Sequence, residues 1–160
     1  MKNYINDEEY IDLVRDILDN EEFKKLNKYK HHSINRKEHC IGVSYRSYII
    51  AKKLKLKYRE VARAGLLHDF FLINNQKLKL LPRIKVIFSH PMTSLENSKK
   101  YFKLSEVEEN IIKSHMFPIG LVIPKYKESF LVDLVDDYLS IYERISNMTN
   151  KISIVFEKKM

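Results

Sequence analysis

The stretch ARAGLLHDFFL, residues 62–72, decides how this chain is read. Val61, Ala64, Gly65 and His68 recur at helical spacing, so His68 falls two turns past Val61 on the same face. The spacing predicts a helix over 57–69 whose buried side ends in a histidine, with Asp69 directly after it. A buried imidazole and carboxylate need partners, because desolvating them unpaired is costly. His68 and Asp69 therefore call for partner groups from elsewhere in the chain.

Working outward, residues 36–54 form a predicted helix with Cys40, Val43, Ser47, Ile50 and Leu54 in one stripe and His39 beside it. Ser105 with Glu108 is a capping-box signature for a helix running to about His115, which sits on the Val107/Ile111 face. Three histidines thus point inward from three helices. The last long helix, 126–147, offers three aspartates. Asp133, Asp137, Ser140 and Arg144 share what reads as a solvated stripe, whereas Asp136 lies between Val132 and Leu139. Asp136 is the expected partner, with Asp133 or Asp137 as alternatives. His90, in Ser89–His90–Pro91 at an expected helix start, pairs with His115 as a second set of neutral ligands. Imidazole and carboxylate together suit Mn, Fe, Co or Zn.

The remaining text is consistent with a helical protein. Only 3 Gly and 4 Pro in 160 residues signal few turns. The expected fold class is all-α, a single-domain helical bundle over 1–160. Its core is about 30–147, with a helical segment at 7–28, a loop at 29–36 and a tail at 149–160 that is either a strand or a helix extension. Residues 70–90 read as the least regular part, with a short helix near 76–88 and a new helix from Thr93 or Ser94 to about Phe102. The one cysteine, Cys40, excludes an internal disulfide and a Cys-rich zinc site, which fits a reducing, cytoplasmic compartment. The acidic start lacks the apolar run of a signal peptide, and no window is apolar enough to span a bilayer. The net charge of +8 comes from scattered lysines, so nucleic acid is possible but not favoured as a partner. There is no P-loop, G-x-G-x-x-G or G-x-S-x-G motif. Arg36, one turn before His39, and Lys125, before the last helix, are candidate phosphate-binding cations. Arg63 reads as structural, Cys40, Tyr138 and Tyr142 as packing, and His31 and His32 as exposed loop residues with substrate contact as the alternative.

The order His39, then His68–Asp69, then Asp136 resembles the HD superfamily of metal-dependent phosphohydrolases. His90 and His115 between the last two elements resemble its binuclear branch, which includes the symmetrical diadenosine tetraphosphate hydrolases. EHCIGVSYRSYIIAKKL (38–54), SHPMTSLENSKKYF (89–102), IIKSHMFPI (111–119) and ESFLVDLVDDYLSIYE (128–143) are similar to uncharacterised HD-domain hydrolases of low-GC Gram-positive bacteria. The resemblance implies two divalent ions, drawn from Fe, Mn, Co, Ni or Mg. His39, His68, Asp69 and Asp136 would hold the first, and Asp69 would bridge to a second completed by His90 and His115. His68 and Asp69 would be the catalytic pair. The implied reaction is cleavage of a phosphate ester or anhydride in a small nucleotide-like substrate by metal-activated water; scattered surface charge and short length are compatible with a monomer or homodimer, and no membrane partner is expected. A mixed-valence di-iron oxygenase and a non-catalytic nucleotide- or nucleic-acid-binding domain are the alternatives. Asp137 stands where Lys commonly follows the last Asp, and FFLINNQ (70–76) lacks the expected Asp, so substrate preference departs from the family pattern.

Overall fold

The apolar faces read from the sequence assemble into an all-α structure. The computed structural model describes residues 3–31, 34–73 and 78–157. Its helices are α1 (Glu8–Asp19), α2 (Glu21–Lys24), α3 (Arg36–Lys53), α4 (Tyr58–Leu67), α5 (Leu80–Tyr101), α6 (Glu106–Ser114) and α7 (Lys127–Glu157). No described helix is long and apolar enough to cross a membrane.

Local chemistry sets the helix ends. Asp7 caps α1 by accepting from the Tyr10 N–H, and Asn35 caps α3 by accepting from the Glu38 N–H. The predicted capping box is present at α6: Ser105 accepts from the Glu108 N–H, and the Glu108 carboxylate accepts from the Ser105 N–H.

α3 and α4 pack most intimately, around Cys40, Val43, Tyr48, Val61, Ala64 and Leu67. Gly65 makes this possible: a Cβ there would stand 2.7 Å from the Ser44 Cα, a backbone atom that no rotamer change can move. The same seam carries a satisfied polar node, in which the Ser44 hydroxyl donates to the Ala62 carbonyl (2.6 Å) and accepts from the Tyr10 hydroxyl (2.7 Å). Arg63 is structural, as expected. It donates to both Asp16 oxygens (2.7 and 2.9 Å), to the Leu13 carbonyl (2.9 Å) and to Glu108 (3.2 Å), tying α1 and α6 to α4.

α7 is placed by two further ties at its start. Asn110 Oδ1 accepts from the Lys125 N–H (2.9 Å) and the Ser129 hydroxyl (2.8 Å), and Glu128 accepts from the Lys57 N–H (3.0 Å). Helix register then carries Val132, Val135, Asp136 and Leu139 inward.

Two expectations need correction. The loop at 29–36 contains a small antiparallel hairpin, β1 (Lys30–His31) with β2 (Ile34–Asn35), His31 opposite Ile34. The second half of the irregular stretch and the separate helix expected after it are one helix, α5, which runs from Leu80 through Pro91 to Tyr101; positions 76 and 77 of the expected short helix lie outside the described residues. Of the two alternatives for the tail, the helix extension is the one formed: α7 continues to Glu157.

Gly65→Ala tests the α3–α4 seam. Alanine improves intrinsic helix propensity by about 1 kcal/mol, but overpacking against immovable backbone costs about 1–3 kcal/mol. Net destabilisation is expected as a lower urea midpoint with an unchanged slope; a raised midpoint would show that the two helices can part freely.

Candidate metal centre

The buried histidines occupy positions where helices leave carbonyls unsatisfied. His68 follows the last residue of α4, and its Nδ1–H donates to the Gly65 carbonyl at 2.8 Å. His115 follows α6 in the same way and donates to the Ile112 carbonyl at 2.7 Å. The final carbonyls of a helix lack intrahelical donors, so each imidazole uses one that would otherwise go unpaired. His90 reaches the same arrangement inside α5. Pro91 has no N–H to give the Ile87 carbonyl four residues back, and the His90 Nδ1–H takes that carbonyl at 2.7 Å. Pro91, read from sequence as marking a helix start, instead orients the preceding histidine within a continuous helix.

A carbonyl can only accept, so Nδ1 carries the proton in all three rings and each Nε2 turns its lone pair inward. Those lone pairs converge. The His90 and His115 Nε2 atoms are 3.0 Å apart, and they lie 3.2 and 3.6 Å from Asp69 Oδ1. His68 Nε2 is buried without a hydrogen-bond partner and lies 3.6 Å from Asp136 Oδ1. His39, on α3, sets its Nε2 2.8 Å from the same Asp136 oxygen. All six of these residues are buried. Two groups of mutually close donors result, His39–His68–Asp136 and Asp69–His90–His115.

The donor set fits divalent cations on its own chemistry. Acceptor atoms crowd a water-poor interior while the imidazole protons of His68, His90 and His115 are committed elsewhere. Only added positive charge balances such an arrangement: extra protons in the metal-free protein, metal ions in the loaded one. The titration pattern shows the same imbalance. Burial opposes charge on Asp69, yet the His115 and His90 rings hold its carboxyl well below the ordinary range. Burial likewise opposes charge on Asp136, and His68 and His39 hold it low. His39 is pushed up to about 10, because its contacts with Asp136 and Glu143 outweigh burial.

Two residues that sequence reasoning did not select join the centre. Glu143 accepts from the His39 Nδ1–H at 2.9 Å, fixing that ring with Nε2 toward Asp136. It lies two helical turns past Asp136 on the same face, so heptad spacing would have found it. His31, read as exposed, is largely covered: it stacks on His39 with ring centres 3.7 Å apart, its Nδ1 is 3.0 Å from Glu143 Oε2, and its Nε2 is 3.8 Å from Asp69 Oδ2. With His39 and Asp69 it forms a third close donor group. The hairpin brings it there, and a hairpin this short has no sequence signature. His32 lies outside the described residues.

The other candidates fall out differently. Arg36 is buried, with its guanidinium 3.6 Å from the Phe71 ring centre; it donates to the carbonyls of Phe71 and Ile73 and keeps Nε 4.0 Å from Asp69 Oδ2. Lys125 is exposed in the loop before α7, anchored by its backbone to Asn110. Asp137 is exposed as read, but Asp133 is not solvated: it is buried, Oδ1 has no partner, and burial with the nearby charges of Asp137 and Asp136 raises it to about 7.

The family model of the HD domain matches residues 36–141, from the first residue of α3 to well along α7. The chain belongs to the HD-domain family. HD domains bind divalent metals and are generally metal-dependent phosphohydrolases, and the buried His/Asp groups of this HD domain fit that binding. No curated protein and no solved structure matches the chain.

Two measurements follow. Glu143 lies at about 2, below its ordinary 4.5; burial raises it, but the His31 and His39 contacts outweigh burial. A carboxyl lowered on folding contributes stability that is complete above the unfolded value and is lost as pH falls through the folded one. Chelator-treated protein should therefore lose stability between pH 4.5 and about 2, and Glu143→Gln should flatten that part of the acid-denaturation curve. Equal slopes for both proteins would contradict the His31–Glu143–His39 arrangement. Pro91→Ala returns a backbone donor to the Ile87 carbonyl and frees the His90 ring. Metal affinity at the His90 side should weaken by about 10-fold in calorimetric titration, while helical circular dichroism is kept; unchanged affinity would show that proline does not orient the ring.

Proposed function

We propose that this HD domain is a two-metal phosphohydrolase acting on small nucleotide-like substrates, with His39, His68, Asp69 and Asp136 holding one ion and Asp69, His90 and His115 the other. The observation that carries the reading is the convergence of four histidine Nε2 atoms on two buried carboxylates, with His68 Nε2 left without a hydrogen-bond partner. Asp69 lies 3.2 and 3.6 Å from the Nε2 atoms of His90 and His115 and also shares a close donor group with His39, which suits a bridging ligand. Two divalent ions would supply activation of water toward phosphorus and neutralisation of phosphoryl charge.

The chain's own residues do the positioning. Glu143 holds the His39 tautomer, as a carboxylate behind a metal-binding histidine commonly does. Arg36 pins Phe71 and Ile73 through their carbonyls and thereby fixes the segment that follows Asp69, a bracing role rather than a direct phosphate grip. Phe71 in turn lies 4.9 Å from the His90 ring and shields it. Lys125 is exposed and fits electrostatic attraction of an anionic substrate. A protein nucleophile is not required, and the basic balance of +8 is compatible with a phosphate-bearing ligand.

The test combines metal content with turnover. Protein purified without chelator should carry two equivalents of a divalent transition metal by elemental analysis. It should hydrolyse bis-p-nitrophenyl phosphate, and more rapidly a nucleotide or dinucleoside polyphosphate. His68→Ala and Asp69→Asn should each lower kcat/KM by about 10²–10³-fold or more, and Glu143→Gln should weaken metal affinity by about 10–100-fold. A metal-loaded protein inert toward every phosphate ester and anhydride would sink the hydrolase reading. Iron content with substrate-dependent oxygen consumption would replace it with the oxygenase.

A further inference from the structure

α7 has two apolar faces. The inner one packs against the bundle through Val132, Val135 and Leu139. The outer one carries Phe130, Leu134, Tyr138, Ile141, Tyr142 and Ile145 at steps of three and four, each between 48% and 69% exposed. Tyr138 and Tyr142, read from the sequence as packing residues, therefore meet no core. Alongside runs α3, which adds exposed Ile50 and Leu54. Between the two helices lies a groove of about 530 Å³ over Tyr45, Ile49 and Val135, bounded by Leu134 and Tyr138. A second groove of about 380 Å³ beside Leu54 and Phe130 adjoins it, and Leu134 lines both.

We infer that this face binds a second copy of the chain, forming a two-fold dimer in which α7 of each protomer lies antiparallel to α7 of the other. The extent fits: eight large apolar side chains, each 38% to 69% exposed, share this face, which is on the order of the 800 Å² that one partner gives to a standard interface and more than the scattered single apolar residues of an ordinary surface. Exposed Ile141 and Ile145 continue the stripe past Tyr138 along the same helix, and in the dimer a two-fold axis across α7 sets them against the other protomer's groove. The charges select the same occupant. Exposed Asp137 and Arg144 stand on α7, and Arg46 lines the groove, so both signs meet on one patch. An isologous interface must be its own complement, which a mixed patch can be.

Sedimentation velocity of the full chain at 10–200 µM tests this. Wild type is expected at twice the protomer mass of 19.2 kDa. Leu134→Glu/Tyr138→Glu is expected at protomer mass, with dissociation at least 100-fold easier and helical circular dichroism retained. Wild type at protomer mass throughout, or a dimer indifferent to the double substitution, overturns the inference. So does wild-type pelleting with phosphatidylglycerol vesicles that the double variant loses, which would assign the face to lipid. Should the double variant fail to fold, Tyr138→Cys under mild oxidation reads the same face, since Cys40 is buried. A linked dimer forming faster than in a Lys100→Cys control is expected, and equal rates overturn the inference.

Discussion

Everything at the centre of this protein depends on one constraint: an imidazole has two nitrogens, and three of these histidines have committed the first to a backbone carbonyl. His68, His90 and His115 each donate Nδ1–H to the carbonyl three residues back, at 2.7–2.8 Å. The commitment does two things together. It satisfies carbonyls that a helix end or a proline has left without a donor, and it aims three lone pairs at one buried space. The fold thus supplies neutral ligands without spending carboxylates on orienting them. His39 lies mid-turn in α3, where helical carbonyls are already paired, and so Glu143 provides its orienting acceptor.

The constraint also explains why the two donor groups are chemically unequal. His39 lies between two carboxylates, so the metal-free protein keeps a proton there that a cation must displace. His115 is pushed below its ordinary value by burial, so it offers a ready lone pair near neutral pH. Metal binding at the His39 side is accordingly coupled to proton release, and binding at the His115 side much less so. One helix, α7, carries both of the carboxylates that flank His39, and its position is set by Asn110 and Glu128 at its start.

Much of this was legible in the sequence because burial has a period. Val61–Ala64–Gly65–His68, Val107–Ile111–His115 and Val132–Asp136–Leu139 each state a face, and a polar residue on an apolar face announces a partner. Ser105 and Glu108 stated a boundary. What stayed hidden depended on tertiary context. Pro91 reads as a helix start, but a proline can sit inside a helix when something else uses the abandoned carbonyl, and no periodicity says that a histidine will. The two-residue strands that carry His31 are too short to pattern. Asp133 shares the polar stripe of Asp137, yet it is covered where Asp137 is open, a difference made by packing at the start of α7 and not by anything on the helix itself.

The two faces of α7 make a related point about where sequence periodicity stops being informative. A helix hydrophobic on one stripe reveals which side is inside; one hydrophobic on two stripes reads simply as well packed. Tyr138 and Tyr142 are indistinguishable from core residues by spacing, because the pattern records that a surface is to be covered and not by what. Only the bundle shows that α3, α4 and α6 cover the Val132–Val135–Leu139 side and leave the Leu134–Tyr138 side open. The same rigid rod then serves both purposes. Anchoring α7 firmly enough to hold Asp136 and Glu143 against His39 also holds its outer stripe in a fixed register, which is the preorganisation that a specific helix-to-helix contact needs.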